Sequence, residues 1–267
     1  MTSISILDRI VATKHKEVAT LRHRSAELQY LAAIADRPRG FMRALRGAAE
    51  VRLLAEVKRR SPSAGEIRPD ADPVAVASAY HEAGAAAVSV LTDTEFFGGT
   101  LDDLRRVRAA VSLPVLRKDF VIDPLQLWET RAAGADAVLL IVRILDDGLL
   151  RRLLDLAGEL GMDALVEVHT DAELERARAA GATLVGINNR DLAAFRTDLE
   201  LSLRLASGVS ERVTLVAESG IRTAADVDRM GAAGFHAVLV GESLMRQDDL
   251  RAAAAALVDR PRSERAR

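Results

Sequence analysis

Lysine and glutamate recur near the ends of short apolar runs. Glu56 and Lys58 close one run, Lys118 a second, Glu167 a third, Asn188 and Arg190 a fourth, and Glu218 with Ser219 a fifth. Side chains alternate along an extended chain, so Glu56 and Lys58, two positions apart, face the same way. A charge at a strand end can be a solvated rim residue, and lysines beside glutamates can do no more than pair as ions. Five ionisable groups (Glu56, Lys58, Lys118, Glu167 and Glu218) on four separate apolar runs, all near the same end, are hard to assign to solvation alone. In a partly buried mouth, such lysines and carboxylates are tuned as general acids and bases near neutral pH. A lysine can also form a Schiff base with a carbonyl substrate, which leaves an aldolase-like chemistry open. The chain has 0 Cys, which excludes thiolate nucleophiles, disulfides and Cys-ligated metal centres. His15, His23, His81 and His236 fall in or beside helical segments and read as surface or packing residues. His169 follows Glu167 by two residues and shares its face, which reads as a hydrogen-bonded rim histidine rather than a ligand.

A second set of residues suits an anion. Gly220 follows the run ending in Glu218, and Gly241 follows the next run, ahead of Glu242 and Ser243. Glycines in two such adjacent loops let backbone N–H groups approach a phosphate, helped by a helix N-terminus. Arg59, Arg60, Ser61 and Ser63 add basic and hydroxyl donors after the first run. The expected substrate is a small phosphate ester.

These residues need a scaffold that brings distant runs to one end, and the sequence repeats one. A phrase of helix end, glycine and β-branched run recurs at Gly84, Gly134, Gly181 and Gly234. The steps are about fifty residues, twice the length of one helix-plus-strand unit in a barrel of eight. One further strand therefore belongs in each gap, and Leu53–Lys58, Pro114–Phe120, Met162–Val168 and Thr214–Ser219 supply four. Asp72-Pro73 and Asp123-Pro124 read as helix starts, and Thr170 with Glu173 as a capping box. Strict alternation of strand and helix predicts a parallel sheet, and eight units predict a closed (β/α)₈ barrel. An open doubly wound sheet fits less well, because no Gly-x-Gly-x-x-Gly turn follows the first strand. The expected division is a helical extension over residues 1–50, a barrel over 51–259 and a frayed, solvated tail over 260–267. Ile4 to Ala35 carries helical periodicity with Lys and Arg outward, either as a helix on the barrel wall or as a lid over its mouth.

Composition narrows the partners. With 49% hydrophobic and 28% charged residues, the chain can bury a large core and is not disordered over most of its length. A net charge of -2 gives no global basic field for nucleic acid or an anionic membrane, and 3% aromatics argues against base-stacking platforms. The most apolar stretch, Ala137 to Leu145, is interrupted by Arg143 and falls short of a membrane span. No secretory signal is visible at the N-terminus, so the expectation is a soluble, cytoplasmic protein.

Glu56–Ser63 resembles the signature of the indole-3-glycerol-phosphate synthase family. The likeness continues through Leu91–Gly98, Leu116–Phe120, Leu165–Val168, Gly186–Leu192, Ala217–Gly220 and Val240–Ser243, and it covers essentially the whole chain. The resemblance implies a (β/α)₈ enzyme of tryptophan biosynthesis. Such an enzyme closes 1-(2-carboxyphenylamino)-1-deoxyribulose 5-phosphate into indole-3-glycerol phosphate, losing carbon dioxide and water. It implies no metal or organic cofactor, and the small phosphate ester as partner for a chain expected to be monomeric. It further implies Lys118 as general acid on the ketone oxygen, Lys58 as holder of the substrate and acid in dehydration, Glu167 as base or charge partner, and Glu56 as the other carboxylate. Asn188, Glu218 and Arg190 would position the substrate, and Phe97 and Leu139 would line the ring pocket. Ser61, Ser219, Gly220, Gly241 and the backbone N–H of Glu242 would hold the phosphate. Some relatives carry serine where Glu242 stands, so only its N–H is assigned. A phosphoribosylanthranilate isomerase, which would depend on Asp and Cys, and a catalytically silent phosphate-binding barrel are the competing readings. With no ligand cluster in the sequence, activity is expected to survive EDTA treatment and dialysis in full. A loss of turnover restored by zinc or magnesium would contradict the metal-free mechanism.

Overall fold

The computed structural model describes residues 5–46, 49–190 and 197–265. Eight strands carry the expected runs: β1 Glu50–Val57, β2 Ala87–Leu91, β3 Val115–Lys118, β4 Ala137–Ile141, β5 Asp163–Val168, β6 Leu184–Asn188, β7 Thr214–Glu218 and β8 Ala237–Val240. Each pairs in parallel with its successor, and β8 returns to β1 through Arg52↔Ala237 to Ala55↔Val240. The sheet is therefore closed, a (β/α)₈ barrel.

Alternation along the strands creates two cores. Leu54, Leu116, Leu165, Val216 and Leu239 pack together inside the barrel. Their neighbours Leu53, Ala55, Val115, Val166, Leu215 and Val238 point outward, beneath the helices. Stepping two residues along from the inner apolar positions reaches Glu56, Lys118, Glu167 and Glu218, so one face of each strand passes from core to mouth. Between the strands run α4 Pro73–Glu82, α5 Thr94–Phe97, α6 Leu101–Ala110, α7 Pro124–Ala132, α8 Asp147–Glu159, α9 Asp171–Ala179, α10 Leu199–Ala206, α11 Ala224–Ala232, α12 Glu242–Met245 and α13 Leu250–Ala255. Helix α8 shows why they stay: Leu150, Leu153 and Ala157 repeat at helical spacing and are buried. Each leucine so covered contributes about 1.5–3 kcal/mol.

The helix starts follow the sequence with two differences. Asp123 caps α7 through Leu125 N–H, but Asp72 makes no cap bond and pairs with Arg106 at 2.7 Å. Thr170 accepts Glu173 N–H, while the Glu173 carboxylate accepts from His169 N–H instead of closing a capping box. Arg143, 2.9 Å from Glu173, helps to hold it there.

The N-terminal extension comprises α1 Ile6–Leu21, a 3₁₀ turn Arg22–Arg24, α2 Ser25–Ile34 and the short α3 Phe41–Leu45; Ile4 lies outside the described residues. It runs from one end of the barrel to the other. Ile6, Leu7 and Ile10 reach the mouth, and α2 packs along α7. Phe41 and Leu45 plug the opposite end, where Met42 N–H donates to Asp163 at the start of β5. Wall and roof are thus both served by one segment. The expectation of outward cations fails at Lys14, which is buried and ion-paired.

The tail also differs from expectation. Arg260–Pro261 pairs antiparallel with Glu50–Val51, and Arg265 is buried; Ala266 and Arg267 lie outside the described residues. The Arg265 guanidinium donates to the carbonyls of Val209, Ser210, Val213 and Gly234 at 2.6 to 3.2 Å. An apolar anchor is unnecessary when a cation satisfies four carbonyls at the base of the barrel. Arg265→Ala strands those acceptors at a cost of about 2 kcal/mol. The expected fall in Tm is roughly 4–8 °C by calorimetry, and an unchanged Tm would show the tail to be dispensable.

Candidate active site

Lys118 Nζ stands between two carboxylates, 3.1 Å from Glu218 Oε2 and 3.4 Å from Glu167 Oε2. On β1, Lys58 Nζ lies 2.7 Å from Glu56 Oε1. Asn188 stands beside Glu167 and accepts Arg190 N–H at 3.0 Å. Every residue to which the family resemblance gives a role lines one cavity of about 470 Å³ at the C-terminal ends of the strands.

Two glycines make the crowding possible. A Cβ at Gly186 would lie 1.9 Å from Glu218 Oε1, and one at Gly241 would lie 2.4 Å from Glu56 Oε1. Gly186 occupies an inward-facing position of β6 and Gly241 directly follows β8, ahead of α12, so the missing side chains are the space into which the carboxylates fold. In the sequence Gly241 reads as a turn glycine that lets backbone approach a phosphate. Its bare Cα is also required by Glu56.

Burial and charge then oppose each other. Burial disfavours the Lys118 ammonium, but Glu218, Glu167 and Glu56 outweigh it and hold the lysine charged well above its ordinary range. Burial likewise raises Glu56, yet the Lys58 and Lys118 ammoniums bring it below the usual carboxylate range. Glu167 is lowered against its burial by Lys118, His169 and the neighbouring Asn188 amide. Glu218 goes the other way: burial and the neighbouring Glu167 and Glu56 charges exceed the pull of Lys118, and it is pushed up to about 7. One ammonium cannot fully balance two buried carboxylates, so the pair holds a proton to higher pH than free glutamates do, with Glu218 the member that is raised.

Phe97 and Leu139 line the apolar side together with Phe120, whose ring centroid is 5.9 Å from that of Phe97. Ile6, Leu7 and Ile10 of α1 cover this side. Helix α1 is tied down by Lys14, which bonds Asp93 at 2.8 Å and Asp119 at 3.0 Å. Asp93 caps the turn bearing Phe97, and Asp119 accepts the N–H of Phe120. The sequence reading missed Lys14, Asp93 and Phe120. Phe120 and Asp119 stand beside Lys118, but Lys14 is about a hundred residues away and carried no local signal.

The anion side is built from loops. Ser219 and Gly220 take φ of 65° and 83°, a turn that L-residues adopt at a cost. Asn189, also missed, braces it by donating to the carbonyls of Glu218 and Ser219 at 3.0 and 3.1 Å. Ser61 faces the cavity. Arg190 bonds Ser63 at 2.5 Å and pairs with Glu242 at 3.2 Å. Arg59 and Arg60 do not serve as expected. Arg59 pairs with Asp103 at 2.6 Å, and Arg60 donates to the carbonyls of Thr94 and Glu95. These bonds fasten the first loop to the second, and the cavity receives Arg190 and Arg222 instead. Asp191 and Leu192 of the sixth-strand motif lie outside the described residues. Among the described residues, no group of three His, Asp or Glu could hold a metal ion, and no helix is long and apolar enough to cross a membrane.

A closed parallel barrel whose mouth gathers two lysines, three glutamates and an arginine-lined loop cluster defines a (β/α)₈ protein with a site suited to acid–base chemistry. The barrel is shared with thiamine phosphate pyrophosphorylase from Pyrococcus furiosus, with a TM-score of 0.58 at 18% identity over 78% of this chain and 93% of that one. A family model described as indole-3-glycerol phosphate synthase matches residues 7–257. Proteins of that name from Chlorobium chlorochromatii and Mycobacterium ulcerans are 49% and 47% identical. The matches cover 93% and 97% of this chain, and 98% and 95% of theirs. The chain belongs to the indole-3-glycerol phosphate synthase family, carboxy-lyases of tryptophan biosynthesis that close a ring with decarboxylation.

Because Glu218 is raised from 4.5 to about 7, the folded chain retains a proton that the unfolded chain has released across that window. Its contribution to stability is therefore lost as pH rises from 4.5 through 7. Glu218→Gln removes this dependence. The Tm of the variant minus that of the parent is expected to grow over that pH range and then level off, and a constant difference would contradict the assignment.

Proposed function

We propose that this cavity binds 1-(2-carboxyphenylamino)-1-deoxyribulose 5-phosphate and converts it to indole-3-glycerol phosphate, with Lys118 as the first proton donor. The observation that carries the proposal is the Lys118 ammonium between Glu167 and Glu218 in a largely enclosed mouth. A Schiff base needs a neutral amine, and the negative charge shared among Glu218, Glu167 and Glu56 keeps this one charged. A fixed ammonium is suited instead to an oxyanion developing on a ketone.

The steps follow from that position. The aromatic carbon bearing the carboxylate attacks the ketone carbon, and Lys118 protonates the ketone oxygen to a hydroxyl. The C–CO₂ bond then breaks and its electron pair restores the aromatic ring. The new hydroxyl leaves as water with a proton from Lys58, while Glu167 takes the proton from the adjacent carbon whose C–H electrons form the indole double bond. Glu56 fixes the position of Lys58 through their 2.7 Å contact. Asn188 and Glu218 orient substrate hydroxyls and the lysines.

Phe97, Leu139 and the neighbouring Phe120 receive the aromatic ring beneath Ile6, Leu7 and Ile10. The phosphate lies across the mouth, on Ser61, Ser219, Gly220 and the N–H of Glu242 after Gly241. Arg190, held by Ser63 and Glu242, supplies the nearby positive charge.

Incubation of the purified chain with the carboxyphenylamino sugar phosphate is expected to produce indole absorbance and fluorescence. Binding without turnover would leave only a phosphate-binding barrel. Lys118→Met keeps an unbranched stem without the proton, and kcat is expected to fall at least about a hundredfold. A near-parental kcat, measured on protein of unchanged circular dichroism, would move the first acid to Lys58.

A further inference from the structure

Glu167 has two oxygens, and the roles proposed above use one. Oε2 faces Lys118 at 3.4 Å, while Oε1 lies 3.5 Å from His169 Nε2. The other ring nitrogen of His169, Nδ1, lies 3.3 Å from Glu173 Oε2. His169 is two residues beyond Glu167, so alternation along the strand turns it to the same side. Its side chain is 3% exposed, and neither ring nitrogen closes a hydrogen bond of full geometry. Two buried ring nitrogens, each beside a carboxylate and away from water, need an account.

Glu173 supplies the fixed end. It sits in the first turn of α9, accepts His169 N–H at 2.6 Å and pairs with Arg143 at 2.9 Å. These bonds and its contact with His169 outweigh its burial and bring its pKa down to about 2, so it stays ionised. The anchored carboxylate holds the ring from one side, and the ring meets Glu167 on the other. A glutamate has three side-chain torsions, and aiming it at a proton on a substrate carbon requires that they be restrained.

We propose that His169 is a positioning residue for this reaction: anchored by Glu173, its Nε2 steadies Glu167 Oε1 so that Oε2 faces the cavity. The proposal rests on the reading of Glu167 as the base, and it adds a residue that touches no substrate.

The two ring nitrogens can be separated by substitution. A glutamine amide reaches approximately where Nε2 stands, whereas an asparagine amide reaches only the Nδ1 position. His169→Asn and His169→Leu are therefore expected to lower kcat about tenfold with KM within about twofold, and His169→Gln to recover most of the loss. A purely structural role would lower Tm in step with cavity size and would not separate Gln from Asn in kcat. In a Glu167→Gln background, His169→Asn is expected to change kcat no further. If His169→Asn and His169→Leu keep kcat within twofold, or if Gln falls as far as Asn, the positioning role is overturned. If Glu167→Gln itself keeps its kcat, the assignment of Glu167 as base fails instead, and the two failures are read from different variants.

Discussion

A buried ammonium among carboxylates is the interaction around which this molecule is arranged. Lys118 lies within 3.4 Å of both Glu167 and Glu218, and its charge also reaches Glu56. Moving such groups out of water costs several kcal/mol each unless partners replace the solvent. The partners here come from β3, β5, β7 and β1, so the charges balance only when the barrel is closed and in register. Gly186 and Gly241 are part of the same constraint, because any larger residue at either position would collide with one of the carboxylates. The surplus of carboxylate pushes Glu218 up to about 7, an unfavourable electrostatic arrangement of the kind that gathers at functional sites.

A second buried cation extends this logic to the N-terminal extension. Lys14 reaches down from α1 to Asp93 and Asp119, the latter also paired with Arg117 at 3.0 Å. The same carboxylates cap or brace the backbone that carries Phe97 and Phe120. The helix that roofs the aromatic side and the turns that form its floor are therefore fixed by one set of ion pairs. At the opposite end Phe41, Leu45 and Arg265 close the barrel by apolar plugging and by carbonyl satisfaction respectively. The mouth thus sits on a scaffold sealed below and clamped from the side.

Legibility followed the range of the interactions. Glu56, Lys58, Lys118, Glu167 and Glu218 stood out in the sequence because a charge ending an apolar strand breaks a local pattern. Lys14 did not, because its partners are about eighty and a hundred residues away and a lysine on a helix reads as solvated. Arg59 and Arg60 show the converse. Their composition and place suggested an anion site, but nearby carbonyls and Asp103 occupy them. The tail reads as frayed for want of apolar residues, yet Arg265 is held by hydrogen bonds that no hydropathy pattern registers.

Periodicity, capping and glycine spacing in the chain alone determined eight strand–helix units, their parallel order and the end of the barrel at which the ionisable groups collect. These are local or repeating features, set by the two-residue alternation of a strand and the conformational freedom of glycine after a helix. Tertiary structure alone decided which carboxylate each lysine meets, that Glu218 is raised while Glu167 is lowered, and where the N-terminal helix lies. Those outcomes depend on distances between strands far apart in sequence and on how much water the closed mouth excludes. Coulomb energy varies with separation and dielectric, and neither quantity exists until the barrel has closed.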